Sequence, residues 1–151
     1  METERLILRT PEDTEALGKR LADLLKPGSV VALIGPLGAG KTALTQAVAR
    51  GLGVTERLSS PTFTVVQEYR SGRIPLYHFD VYRVNDPDDL FELGFEEYLH
   101  GDGACFIEWA DLVEDMLPED TIHIRLDYGG WEEERTCEIS GADLPDLEEL
   151  Q

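Results

Sequence analysis

Two periodicities alternate along this chain. The run RLILR at residues 5–9 reads as a short strand, and Leu17, Leu21, Leu24 and Leu25 then recur at helical spacing. Thr10 stands where it would cap that helix, with Pro11 at its first position and Asp13 near the positive end of its dipole. KPG at 26–28 stops it. SVVALIG at 29–35 is apolar and β-branched throughout, the pattern of a strand buried on both faces. A glycine-rich turn follows. Leu44, Ala47, Val48 and Leu52 then mark a second helix, closed by Gly51 and Gly53.

The second half changes rhythm. Residues 62–84 read as a β-hairpin turned by SGR, with Pro75 placing part of the return strand at an edge or bulge. Residues 86–99 predict a third helix, capped by Asp86 with Pro87 at its first position. ACFIEW at 104–109 predicts another buried strand. TIHIRLDY at 121–128 alternates as a half-buried strand does, and RTCEIS at 135–140 would pair with it across the GGWEE turn. No internal repeat or long linker divides the chain. The expectation is a single α/β domain over residues 1–140, a mixed β-sheet flanked by helices, with residues 141–151 an acidic, loosely held tail.

Composition adds limits. The 151 residues suffice for one domain with a real core, and 42% are hydrophobic. No run approaches the roughly 20 apolar residues of a membrane span. The N-terminus has no signal-peptide core, which predicts a cytoplasmic protein. Cys105 and Cys137 lie outside any metal-ligand spacing and read as reduced core residues. The net charge of −18 is unevenly placed: 11 Lys and Arg face 9 Asp and Glu up to residue 83, and 2 face 22 beyond it. An acidic half of this size opposes a nucleic-acid backbone and suits solubility or a basic protein surface.

The turn between the buried strand and the second helix carries the chemistry. Gly35, Pro36, Leu37, Gly38, Ala39, Gly40, Lys41 and Thr42 are a full G-x-x-x-x-G-K-[ST] match in strand–turn–helix context. Its glycines let backbone N–H groups converge on phosphate oxygens, and the helix adds its dipole. Lys41 would reach the β- and γ-phosphates and Thr42 would ligate magnesium. A P-loop of this kind still needs a carboxylate at a strand end. Asp80, after LYHF, and Glu108, after ACFI, are the candidates. Glu108 closes a wholly apolar run, so its charge requires a partner. The hydroxyls of SSPTF at 59–63 suit a γ-phosphate-sensing segment or an ordinary loop. His78 shares a strand face with Asp80 and would orient it, although a packed core histidine is the plainer reading. His100 and His123 suggest nothing specific, and Trp131 reads as a cover for apolar surface.

Nucleotide class follows by exclusion. A GTPase needs N-K-x-D, and the single asparagine, Asn85, precedes Asp86. A small-molecule kinase brings lid arginines, and after Arg83 only Arg125 and Arg135 remain. A slow ATPase serving another protein fits best; a stand-alone kinase or a nucleotide-dependent binding switch stays open.

In that order and spacing, GPLGAGKT, SSPTFTVVQEY, YHFDVYR and FIEW resemble the TsaE family, ATPases of bacterial threonylcarbamoyladenosine tRNA modification. The resemblance runs from about residue 5 to residue 128. It implies an α/β P-loop domain that binds ATP and Mg2+ and works with TsaD and TsaB, the pair that transfers threonylcarbamoyl to tRNA. It implies that Thr62 is a switch hydroxyl, and that Asp80 and Glu108 surround magnesium and the attacking water. It places Trp109 beside the nucleotide or a partner, and the helix start at Thr10 and Pro11 near the adenine. Ala43 departs from a hydroxyl residue common there; its backbone N–H would still serve the α-phosphate. If TsaD and TsaB handle the tRNA, this chain need not bind it tightly, and its acidic half would occupy a basic surface of theirs. The missing guanine reader predicts that ATP outcompetes GTP in a fluorescent-nucleotide displacement titration; equal or tighter GTP binding would remove the adenine assignment.

Overall fold

The computed structural model describes residues 3–58, 65–83 and 87–141. Seven strands form one mixed sheet: β1 (Thr3–Leu8), β2 (Val30–Ile34), β3 (Val66–Tyr69), β4 (Leu76–Asp80), β5 (Ala104–Glu108), β6 (Ile122–Tyr128) and β7 (Arg135–Ser140). Their spatial order is β1-β7-β6-β2-β5-β4-β3. The centre, β6-β2-β5-β4, is parallel. Antiparallel pairs β3–β4, β6–β7 and β1–β7 extend it on both sides. The mixed α/β sheet read from the sequence is therefore the fold found.

The helices are α1 (Pro11–Leu24), α2 (Lys41–Gly51), α3 (Pro87–Glu92) and α4 (Phe95–Leu99), with short 3₁₀ turns at Val81–Arg83 and Ala110–Met116. α1 and α2 cover one face of the sheet: Leu17, Leu21, Leu44 and Val48 share a core with Val31, Leu33, Leu76 and Phe106. The alternate residues of the same strands, Val30, Ala32, Phe79 and Ile107, share a second core with Leu90, Phe95, Leu99 and Val113. Strand periodicity thus divides β2 between two cores, which is why its sequence is apolar without alternation.

Several local expectations change. Thr10 is the N-cap of α1, but its side chain makes no capping bond; Asp13 instead accepts the Arg9 N–H at 2.9 Å. Leu24 is exposed, and the apolar stripe of α1 is completed by Leu25 beyond its end. The predicted helix over 86–99 is two helices, because Gly94 adopts φ +77° and turns the chain. Pro75 does not interrupt a strand: it precedes β4, which is interior, and its carbonyl accepts the Ala104 N–H at 2.9 Å. The edge strand is β3. Trp131 covers nothing, being 77% exposed. Cys105 and Cys137 are buried and unpaired, and burial pushes both thiols up to about 12. No helix among the described residues is long and apolar enough to cross a membrane. The proposed Asp86 cap and the tail beyond Gly141 lie outside the described residues.

The helix that carries the P-loop is seated by small residues. A Cβ on Gly18 of α1 would lie 2.4 Å from Ala47 Cβ and 2.8 Å from its carbonyl carbon on α2, and one on Gly51 would lie 2.8 Å from Ala22 Cβ. Two exposed bonds from Arg50 to Glu15, at 2.8 and 2.5 Å, bridge the same pair of helices. Gly18→Val therefore forces α2 off the sheet. A loss of about 1–3 kcal/mol is expected from overpacking, read as a lower midpoint in urea; an unchanged midpoint would show that the close approach is dispensable.

Candidate functional site

The parallel register sets the site. Leu33 of β2 pairs with Glu108 of β5, and Glu108 pairs with Asp80 of β4, so the carboxyl ends of three strands stop at one level. Ligands of open α/β sheets bind at such an edge. The P-loop leaves β2 here and enters α2 at Lys41. Gly35 packs against β6 so closely that a Cβ would lie 2.1 Å from the Leu126 carbonyl oxygen. Gly38 and Gly40 have φ values of +80° and +103°. Nothing lies within 4 Å of a Cβ built on Gly40, so the loop leaves open space where an anion would sit. Ala39 is buried beneath it, and Leu37 is 79% exposed at its tip.

Two residues far along the chain hold this loop. Tyr128, at the end of β6, donates its hydroxyl to the Leu37 carbonyl. Arg135, at the start of β7, donates to the Gly38 carbonyl at 3.3 Å. Within the loop the Ala39 N–H bonds the Pro36 carbonyl at 3.2 Å.

Lys41 is folded down. It is 4% exposed, its Nζ donates to the Gly35 carbonyl at 2.5 Å, and it lies 3.6 Å from the centroid of the Trp109 ring. Burial lowers its pKa, and the attraction of Glu108, Asp111 and Asp80 recovers part of the loss. Trp109 reaches this position because it takes a left-handed conformation, φ +60°, straight after β5. Tyr82 also packs at a tilt against Trp109, ring centroids 4.8 Å apart.

Glu108 is 6% exposed, and its partners are visible. Thr42 Oγ1 donates to Oε2 at 2.7 Å, and His78 Nε2 meets the same oxygen at 2.5 Å. Burial pushes the carboxyl pKa up. The contact with His78, the bond from Thr42 and the Lys41 charge outweigh burial and hold the group below the usual glutamate value, hence ionised at neutral pH. Asp80 is half-buried and accepts the Tyr82 N–H at 3.1 Å. His78 bonds Glu108 rather than Asp80, because the diagonal step from β4 to β5 carries its ring toward the neighbouring strand's end. One cavity is lined by Leu37, Gly38, Gly40, Lys41, Thr42, Ala43, Asp80, Glu108 and Trp109. A second adjoins it over Gly40 and Ala43, and is walled by Pro11, Thr14, Arg50 and Arg135. Thr10 does not line it. Thr62 and the SSPTF segment lie outside the described residues.

Over residues 8–137 the chain matches the family described as threonylcarbamoyl adenosine biosynthesis protein TsaE. The chain belongs to this family. Relatives named tRNA threonylcarbamoyladenosine biosynthesis protein TsaE include one from Bacillus subtilis, 48% identical over 82% of this chain and 77% of its own. Another, from Treponema pallidum, is 45% identical over 81% and 90%. The crystal structure of Bacillus subtilis YdiB superimposes with a TM-score of 0.79 and 39% identity, covering 99% of this chain and 94% of that one. TsaE membership and the architecture read from the sequence therefore both hold.

Tyr128 and Arg135 were not legible as site residues. They lie 91 and 97 residues from the loop positions they hold, in strands whose sequences carry no phosphate-site signature. Being only 4% exposed, the Lys41 side chain also contributes to local packing. Lys41→Met keeps most of the stem and removes the charge. It is expected to stay folded and to bind ATP roughly 10- to 100-fold more weakly, the scale of a lost charged hydrogen bond. A nucleotide titration beside a thermal melt checks this; wild-type affinity in the folded variant would exclude Lys41 from the site.

Proposed function

We propose that this chain is a magnesium-dependent ATPase that acts on the TsaD–TsaB pair during threonylcarbamoyl modification of adenosine in tRNA. The observation that carries the reading is the 2.7 Å bond from Thr42 to Glu108. It joins the first turn of the P-loop helix to the carboxylate at the end of the adjacent parallel strand, the two groups that P-loop ATPases use around magnesium.

The donor set fits that ion. Thr42, Glu108 and Asp80 offer hard oxygens in one cavity, and no larger cluster of His, Cys, Asp or Glu able to enclose a metal exists among the described residues. Magnesium is commonly held in this way, by one or two carboxylates and the phosphates. When bound, magnesium and ATP supply the γ-phosphoryl group and the counter-charge for its transfer.

The chain's own residues do the rest. Backbone N–H groups from Gly38 to Ala43 orient the phosphates, with the Ala43 N–H serving the α-phosphate. Lys41 exchanges the Gly35 carbonyl and the Trp109 face for phosphate oxygens. Thr42 and Glu108 hold the metal, and Asp80, level with Glu108 in the sheet, orders the attacking water. Pro11 borders the adenine, in the cavity beside Ala43, which Thr10 does not line. Thr62 serves as the switch hydroxyl. Tyr128 and Arg135 keep the loop open throughout.

The division of labour follows from charge. The excess of 22 acidic over 2 basic residues beyond position 83 opposes tRNA and favours a basic face of the partner pair. A cytoplasmic location accompanies that role. The chain alone is expected to hydrolyse ATP slowly, and an arginine supplied by the partner is worth roughly 10³–10⁵ in rate.

The test is ATP turnover with and without TsaD and TsaB, beside co-elution of the three proteins at low and high salt. Turnover should rise with the pair, and association should need ATP and weaken with salt. Glu108→Gln and Asp80→Asn should each lower turnover at least ~10²-fold. Turnover indifferent to the pair, or phosphoryl transfer to a small molecule, would favour a stand-alone kinase. Tight tRNA binding by the chain alone would defeat the division of labour.

A further inference from the structure

His78 is 1% exposed, sits outside every cavity wall of the site, and has no part in the mechanism above. Yet its Nε2 lies 2.5 Å from Glu108 Oε2. A carboxylate this deeply buried requires donors, and an ionised carboxylate can only accept, so the ring carries its proton on Nε2. Both protein donors converge on one oxygen. Thr42 and His78 bond Oε2, and the described residues offer no hydrogen bond to Oε1.

The two donors differ in how they are held. Thr42 stands at the mouth of the P-loop, and its hydroxyl rotates. His78 stands inside β4, whose parallel register with β5 pairs His78 with Phe106 and Asp80 with Glu108. Its ring is walled by the sheet and does not depend on what occupies the loop. We propose that His78 is the positioning residue for Glu108: it fixes Oε2 from below and so presents Oε1 to magnesium or its bound water. The proposal rests on the reading of the P-loop as a magnesium–ATP site and extends it by one residue. Outer-shell partners of this kind typically contribute 10- to 100-fold in metal affinity or activity.

The experiment compares wild type with His78→Leu, which removes the donor, and His78→Gln, which restores an N–H at similar reach. Binding of a non-hydrolysable ATP analogue is measured by calorimetry with Mg2+ and with EDTA, beside turnover and a thermal melt. In His78→Leu the EDTA affinity should stay at the wild-type value, while the gain in affinity from Mg2+ and the kcat should each fall roughly 10- to 100-fold. His78→Gln should recover most of both. Adding His78→Leu to Glu108→Gln should cause no further loss, because His78 acts through that carboxylate.

A folded His78→Leu protein with wild-type Mg2+ dependence overturns the proposal. So does an equal loss with Mg2+ and with EDTA, which a purely structural role would give. If His78→Leu does not fold, the wild-type protein decides: in histidine-labelled protein the His78 ring should show an Nε2 proton that shifts with Mg2+ and analogue but not with analogue in EDTA. A ring protonated only on Nδ1 overturns the proposal. Absence of any Mg2+-dependent binding by wild type would instead defeat the magnesium–ATP reading.

Discussion

The site depends on the register of three parallel strands. Leu33, Glu108 and Asp80 lie level because β2, β5 and β4 pair without a slip, and the P-loop begins two residues beyond that level, at Gly35. A shift of one residue would turn Glu108 and His78 toward the opposite core and leave Thr42 without its carboxylate. The register is held by burial on both faces. Val31, Leu33 and Phe106 must face α1 and α2, while Ala32, Phe79 and Ile107 must face the other layer. Apolar packing thus determines where the charged groups meet.

Among the described residues, the buried charged side chains Glu108 and Lys41 meet the buried His78 at this edge. Glu108, Lys41 and His78 are all buried, and each is satisfied by another member of the group or by the loop. The buried carboxylate stays ionised because its donors outweigh the cost of burial. The buried ammonium is held by a carbonyl and an aromatic face, both of which are weaker partners than phosphate. A site arranged in this way is closed on itself and remains ready to exchange partners.

The β6–β7 hairpin connects the rest of the molecule to that edge. Through Tyr128 and Arg135 it grips the loop's carbonyls, and through β1 it extends the sheet away from the site. The helix pair α1–α2 provides the opposite support. Its close approach at Gly18 and Ala47 seats the helix that presents Lys41 and Thr42. The P-loop is therefore clamped between two structures that come from distant parts of the sequence.

Local chemistry made much of this legible in advance. The P-loop could be read because glycines at positive φ, a lysine and a threonine must stand at fixed spacing to make that turn. Strands β2 and β5 could be read because apolar, β-branched runs have few other uses, and Glu108 stood out because a charge ending such a run demands a partner. What a residue touches across the sheet was not legible. Strand alternation let His78 orient Asp80, with a packed core histidine the plainer reading; the residue is buried, and the register gives its ring to Glu108. Tyr128 and Arg135 had no local signature at all as partners of the loop. Pro75 and Leu93-Gly94 were misread because strand order and helix breaks depend on neighbours the sequence does not name. Periodicity and spacing are properties of one segment, so the chain alone determines them; hydrogen-bond partners are properties of two segments, and only the tertiary structure brings those together.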